Sequence, residues 1–191
     1  MPIANRIVAE KSWDYLDRLK SLGIKPLGRG SKGTVFQHPT MPNVAVKVYE
    51  RDDWDKSVFW LRWCEKNQKN PYVPKIYRLG KLKNIELDVS ETKQNINAYH
   101  VAFMEKLEKC PRPLVLETFT RTGALPDVIN RVRTFWDFED KPKWASITDK
   151  NLLQVLKKIK SLSGTDSNGS DLIDANIMRR GKQIVFSDPV Y

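Results

Sequence analysis

Several groups of residues in this chain have the types and spacings that chemistry uses. The run Leu27-Gly28-Arg29-Gly30-Ser31-Lys32-Gly33-Thr34-Val35 carries three glycines. Without Cβ atoms, such positions let a turn lie close over a polyphosphate and offer it backbone amides. The β-prone Thr34-Val35-Phe36 follows. The glycines therefore join strand to strand, unlike a dinucleotide-binding turn, which runs from strand into helix. A glycine-rich hairpin with no ligand has the same pattern. Twelve residues after Val35, Lys47 interrupts the apolar run Val44-Ala45-Val46-Lys47-Val48. An ammonium there is costly unless paired; the alternative is an edge-strand lysine turned to water. Near the other end, Asp171 is followed by Asn176 five residues later and by Asp188 twelve beyond that. Taken singly, such residues are turn formers.

The elements that must position these groups are legible in outline. A helix is expected over 5–22, with Val8, Trp13, Leu16 and Leu19 near one face and Gly23 as its stop. Short strands are expected at Ile24 to Leu27, Thr34 to Gln37 and Val44 to Tyr49, the last two linked by the turn residues His38-Pro39-Thr40-Met41-Pro42-Asn43. Asp52 or Asp53 is placed as the cap of a helix reaching about Asn70. Two more strands are expected near Lys81 to Val89 and Ala98 to Met104, with a polar turn from Ser90 to Asn95 between them. Thr148 is read as the cap of a helix in which Leu152, Val155, Leu156, Ile159 and Leu162 repeat at helical spacing. A Ser/Gly/Asp-rich loop, Ser163 to Ser170, leads to a last hairpin near Ile177 to Val190. The stretch Pro111 to Trp144, rich in Pro, aromatic and basic residues, yields no assignment. Strand-rich first and helix-rich second, the outline is α+β and two-lobed.

Composition bounds the rest. The chain has 191 residues, 40% of them apolar, which suits one folded domain and excludes a disordered or collagen-like polymer. With 33 Lys+Arg against 23 Asp+Glu the net charge is +10, which favours anionic partners without choosing among them. Cys64 and Cys110 are too few for a disulfide framework and lack metal-type spacing, so both are expected to be reduced thiols. His38 and His100 have no metal-like partners and are assigned to a turn and a strand. No signal-peptide core precedes Glu10, and apolar stretches such as Val101 to Met104 are too short to cross a bilayer, so a soluble, cytoplasmic protein with no membrane partner is expected.

On these motifs the chain resembles the protein-kinase-like superfamily, from Ile24 to its end. Within it, the likeness is to the early-expressed serine/threonine protein kinases of lytic podophages. That likeness rests on Leu27-Gly28-Arg29-Gly30, on His38-Pro39 through Pro42-Asn43, and on Pro71 through Val73-Pro74-Lys75-Ile76-Tyr77. It extends to Asp171 through Asn176-Ile177-Met178 and to Asp188-Pro189-Val190. The resemblance implies a single kinase-like domain over 1–191: an N-terminal helix in 1–23, a strand-rich N-lobe over 24–104, and a hinge with a minimal, truncated helical C-lobe over 105–191. It implies ATP and Mg²⁺ as cofactors. Gly28, Gly30 and Gly33 would cover the phosphates, with Leu27 and Ser31 also in the ATP site, Val35 and Ala45 would sandwich adenine, and the backbone of Glu105 and Leu107 would meet its edge. Lys47 would hold the α- and β-phosphates, positioned by a helical glutamate. Between Asp55 and Glu86 the sequence has Glu65 alone for that task. It follows Val58 and Leu61 at helical spacing, yet Phe59, Trp60 and Trp63 make other faces apolar too, so Glu65 is either that partner or an ordinary surface charge. Asp171 would be the catalytic base, and Asn176 and Asp188 the metal ligands. The substrates implied are proteins of the bacterial host, in its transcription, RNA-processing or defence machinery.

The chain departs from that pattern in places. Gly169-Ser170 stands where His-Arg precedes the base, Ile173 where many kinases carry a cation, and Ser-Asp-Pro where Asp-Phe-Gly is usual. Asp174 adds a carboxylate near the phosphates, and three residues after Asp188 leave no activation segment. Two other readings therefore stand beside the protein kinase. One is a small-molecule phosphotransferase. The other is a non-catalytic scaffold that binds a host protein or nucleic acid through Lys81/Lys83, Arg131/Arg133, Lys157/Lys158/Lys160 and Arg179/Arg180/Lys182, clusters whose ordinary explanation is a solvated face.

Overall fold

In a computed structural model, the structure describes residues 24, 26–30, 33–50, 56–82, 99–123, 145–163 and 176–189. The expected helix over 5–22, the Ser90 to Asn95 turn and the Ser163 to Ser170 loop beyond its first residue lie outside the described residues. The elements are β1 (Pro26–Gly30), β2 (Gly33–Gln37), β3 (Val44–Glu50), α1 (Lys56–Lys66), β4 (Ile76–Leu82), β5 (Tyr99–Glu105), β6 (Glu108–Lys109), α2 (Arg112–Arg121), α3 (Lys150–Ser163), β7 (Ile177–Arg180) and β8 (Gln183–Phe186). The class is α+β with a strand-rich first half, as the alternation of residue types requires.

The chain forms two compact units. The first comprises the described residues up to Val58 with Ile76–Lys106; the second comprises Phe59–Lys75 and the described residues from Leu107 on.

The first unit is built on an antiparallel five-stranded sheet in the order β1-β2-β3-β5-β4. Its central strand, β3, is apolar on both faces because it pairs on both edges and is covered on both sides: Val44, Ala45, Val46, Val48 and Tyr49 are all buried. The turn from His38 to Asn43 is held by side chains. His38 Nδ1 accepts from the amides of Thr40 and Met41 at 3.3 and 3.2 Å, and the Gln37 amide donates to the carbonyls of Pro42 and Val44 at 3.0 and 3.3 Å. Of the strand expected near Lys81 to Val89, Lys81 and Leu82 belong to β4, which starts earlier, at Ile76, and residues 83–89 lie outside the described residues. As the last strand of the sheet, β4 turns Tyr77 and Arg78 outward, and such a polar edge breaks the apolar alternation by which strands are read.

In the second unit, α3 buries Leu152, Val155, Leu156 and Ile159 on one face. Its cap is corrected from Thr148 to Asp149. Asp149 Oδ1 accepts from the amides of Asn151 and Leu152 at 2.9 and 3.1 Å, whereas Thr148 binds the carbonyl of Thr122 through its own amide at 3.0 Å. The helix α2 occupies part of the stretch that gave no assignment. It begins after the extended Pro111, buries Val115, Thr118 and Phe119, and stops before Gly123, whose φ of 75° suits a residue without a Cβ. A three-stranded sheet, β6-β7-β8, completes the unit and supplies the expected last hairpin. Among the described residues, no helix is long and apolar enough to cross a membrane.

Candidate functional site

In the first unit the glycine run forms the β1–β2 hairpin, with Gly28 opposite Val35, Arg29 opposite Thr34 and Gly30 opposite Gly33. The register slips between Pro26 and Gly28, so Leu27 bulges outward, 44% exposed. Ser31, at the tip, lies outside the described residues. The glycines are not equivalent. A Cβ on Gly33 would stand 2.2 Å from the Val48 carbonyl oxygen, so strand pairing alone demands glycine there. A Cβ on Gly28 would meet nothing within 4 Å, so packing does not explain that glycine.

Lys47 is opposite Val35 on one side and Ala102 on the other, and Ala45 is opposite Met104. Residues paired in this way share a face. Val35, Ala45, Lys47, Ala102 and Met104 therefore line one side of the sheet. Lys47 is 8% exposed on the third of five strands, which removes the reading of an edge lysine turned to water. Its Nζ lies 4.4 Å from the centroid of the Tyr49 ring, two residues on along the same face, an arrangement that offsets part of the cost of burying the ammonium. Glu105 ends β5, 9% exposed, and the next amide, of Lys106, donates to the Asn43 carbonyl at 2.8 Å. Leu107, half-buried, opens the second segment of the second unit.

In the second unit the β7–β8 hairpin brings Asn176 and Asp188 together, twelve residues apart in sequence. The last ladder pair is Ile177 with Phe186. Just beyond it the Ser187 amide and hydroxyl both donate to the Asn176 carbonyl, at 2.9 and 3.0 Å. Asp188 follows at once, half-buried, with Oδ1 shielded from solvent. Burial pushes the Cys64 thiol well above its usual range, and the neighbouring Asp188 carboxylate adds to the rise. Asp188 thus lies beside α1 as well as at the hairpin mouth. An amide and a carboxylate are hard oxygen donors that fit Mg²⁺, which binds through one or two protein groups and takes its other ligands from water and phosphate. Among the described residues no cluster of three His, Cys, Asp or Glu side chains forms. Asp171 lies outside the described residues. Glu65 is exposed, one position past the buried Cys64 on α1, where Ser57, Val58, Trp60 and Leu61 are buried.

The hairpin is anchored by contacts that sequence reasoning missed. The Arg180 guanidinium donates to the carbonyls of Pro71 and Val73 at 3.3 and 3.0 Å, and the Phe186 amide donates to that of Tyr72 at 2.9 Å. Tyr72 in turn donates its hydroxyl to Asp149 Oδ2 at 2.6 Å, and burial with this bond raises its pKa. Arg179, opposite Glu108 in the ladder, pairs with its carboxylate at 2.6 Å. Two of the three cations in the Arg179/Arg180/Lys182 cluster are therefore engaged within the unit. A cation inside a strand, next to another, was the available signal; it reads equally well as a charged surface.

No protein-family model matches the chain, and no curated protein matches it in sequence. Among solved structures, the chain is similar to a microcompartment-associated aminopropanol kinase, at 15% identity and a TM-score of 0.39, over 90% of this chain and 67% of that one. It is also similar to APH(2″)-IIa in its ternary complex with streptomycin and ATP, at 12% identity and a TM-score of 0.34, over 95% of this chain and 74% of that one.

Proposed function

We propose that the chain is an ATP- and Mg²⁺-dependent protein kinase of a bacteriophage. It acts in the cytoplasm of the infected bacterium on serine or threonine hydroxyls of host proteins, and so dampens host transcription or defence. The observation that carries this reading is the double hydrogen bond from Ser187 to the backbone carbonyl of Asn176, which brings the backbone of Asn176 next to the residue that precedes Asp188 at the mouth of one hairpin. Lys47, a buried ammonium on the same strand face as Val35 and Ala45, supports it from the first unit.

In this reading Gly28 and Gly30 offer amides to the phosphates, Val35 and Ala45 enclose adenine, and Lys47 orients the α- and β-phosphates. Asp171 takes the proton of the acceptor hydroxyl as its oxygen bonds to the γ-phosphorus, while the bond from that phosphorus to the β–γ bridging oxygen breaks and ADP leaves. Asn176 and Asp188 would hold Mg²⁺, which supplies positive charge against the phosphate oxygens. In the Arg179/Arg180/Lys182 cluster of the nucleic-acid reading, Arg179 is paired with Glu108 and Arg180 with backbone carbonyls.

The test is transfer from radiolabelled ATP with Mg²⁺ to proteins of a bacterial lysate, with Lys47→Ala and Asp171→Ala in parallel. Labelled proteins that disappear with both variants support a protein kinase. Label that appears only on small molecules supports the small-molecule phosphotransferase instead, and wild type and variants alike without transfer overturns catalysis.

A further inference from the structure

We propose that Ser187 is a positioning residue, whose hydroxyl sets the separation of the two metal ligands; this rests on the reading of Asn176 and Asp188 as such ligands. The β7–β8 ladder ends at Ile177 and Phe186. One residue further, the Asn176 carbonyl receives both the amide of Ser187 at 2.9 Å and its hydroxyl at 3.0 Å. A carbonyl oxygen has two lone pairs, and the two donors match them. A single backbone bond at the end of a ladder leaves the strands free to splay, whereas the second donor, carried on the residue that precedes Asp188, fixes Asn176 and Asp188 against each other. The body of the hairpin is held elsewhere, by Arg180 on Pro71 and Val73 and by Phe186 on Tyr72. The hydroxyl therefore acts on the mouth, where the ligands stand, more than on the fold.

Loss of a group that orients a metal ligand weakens metal binding while leaving folding nearly intact. The experiment uses the full chain with a non-hydrolysable ATP analogue and Mn²⁺ as the probe, bound metal being read by electron paramagnetic resonance alongside thermal unfolding. The expected result is that Ser187→Ala weakens Mn²⁺ binding about tenfold with an unfolding midpoint near wild type, and that Ser187→Thr, which keeps the hydroxyl, binds like wild type. Unchanged Mn²⁺ affinity in Ser187→Ala overturns the proposal. So does equal loss in both variants together with a fallen unfolding midpoint, which marks a structural role. Absence of nucleotide-dependent Mn²⁺ binding in the wild type overturns instead the assignment of the ligands themselves.

Discussion

The two hairpins that carry the candidate residues are built on opposite plans. The β1–β2 hairpin is open on its first strand: Pro26, Leu27, Gly28 and Arg29 are exposed, while β2 pairs with β3 and buries Thr34 and Phe36. The β7–β8 hairpin is closed: Ile184, Val185 and Phe186 have no exposure, and three consecutive carbonyls of the Pro71–Val73 turn are bound by it. The difference follows from what each would do. A cradle for phosphate must present backbone amides to an incoming ligand, so side chains are withdrawn. A pair of metal ligands must keep a fixed separation, so its support is packed.

The sharpest way to break that contrast is chemical. Asp188→Asn should lower phosphate transfer about a hundredfold to a thousandfold, with an unfolding midpoint near wild type; equal activity would remove the metal pair from the mechanism. Stability should then divide the hairpins. Phe186→Ala is expected to cost about 3–5 kcal/mol in urea unfolding, since its side chain is fully buried, whereas Leu27→Ala, at 44% exposure, should stay within about 0.5 kcal/mol. Within the open hairpin the glycines should divide too. Gly33→Ala must push β2 from the Val48 carbonyl and should destabilise by about 1–3 kcal/mol, while Gly28→Ala should leave unfolding unchanged and raise the KM for ATP.

The smallest effect is one of pH. The folded-state pKa of Tyr72 is raised by burial and by the bond to Asp149. Its contribution to stability is thus fully present below the unfolded value of about 10 and is lost as pH rises above it. Tyr72→Phe should show a shallower alkaline loss of stability than wild type; equal slopes would remove Tyr72 from the support of the closed hairpin.

The open hairpin was the legible one. Its glycines, the β-prone Thr34-Val35-Phe36 and the lysine in an apolar run are local patterns, and local patterns survive without an alignment. The expected strands at Thr34 to Gln37, Val44 to Tyr49 and Ala98 to Met104 correspond to β2, β3 and β5, because β3 and β5 are mostly apolar. What escaped depends on partners far away in sequence. Thr148 and Asp149 are both good caps, and only the reach of Oδ1 to Asn151 and Leu152 decides between them. The roles of Arg180 and Ser187 exist only once the hairpin meets the Pro71–Val73 turn and closes on Asn176. The α2 signal was present, in Pro111 and Pro113 at its start and Gly123 at its end, but was masked by the exposed Leu116 and the polar residues around it.

The bond between Tyr72 and Phe186 also bears on how the molecule is made. The second unit draws Phe59–Lys75 from the first half of the chain, and the strands β4 and β5 of the other unit intervene before its remainder begins at Leu107. During synthesis the five-stranded sheet can assemble once Lys106 has emerged. The turn at Pro71–Val73 must wait for Arg180 and Phe186, more than a hundred residues later in the case of Arg180 and Val73. Closing so long a loop is slow but adds little further entropy cost per residue. In that interval Tyr72 lacks its bonds to Asp149 and Phe186, and Pro71 and Val73 lack theirs to Arg180, so this segment is among the last to be fixed in place.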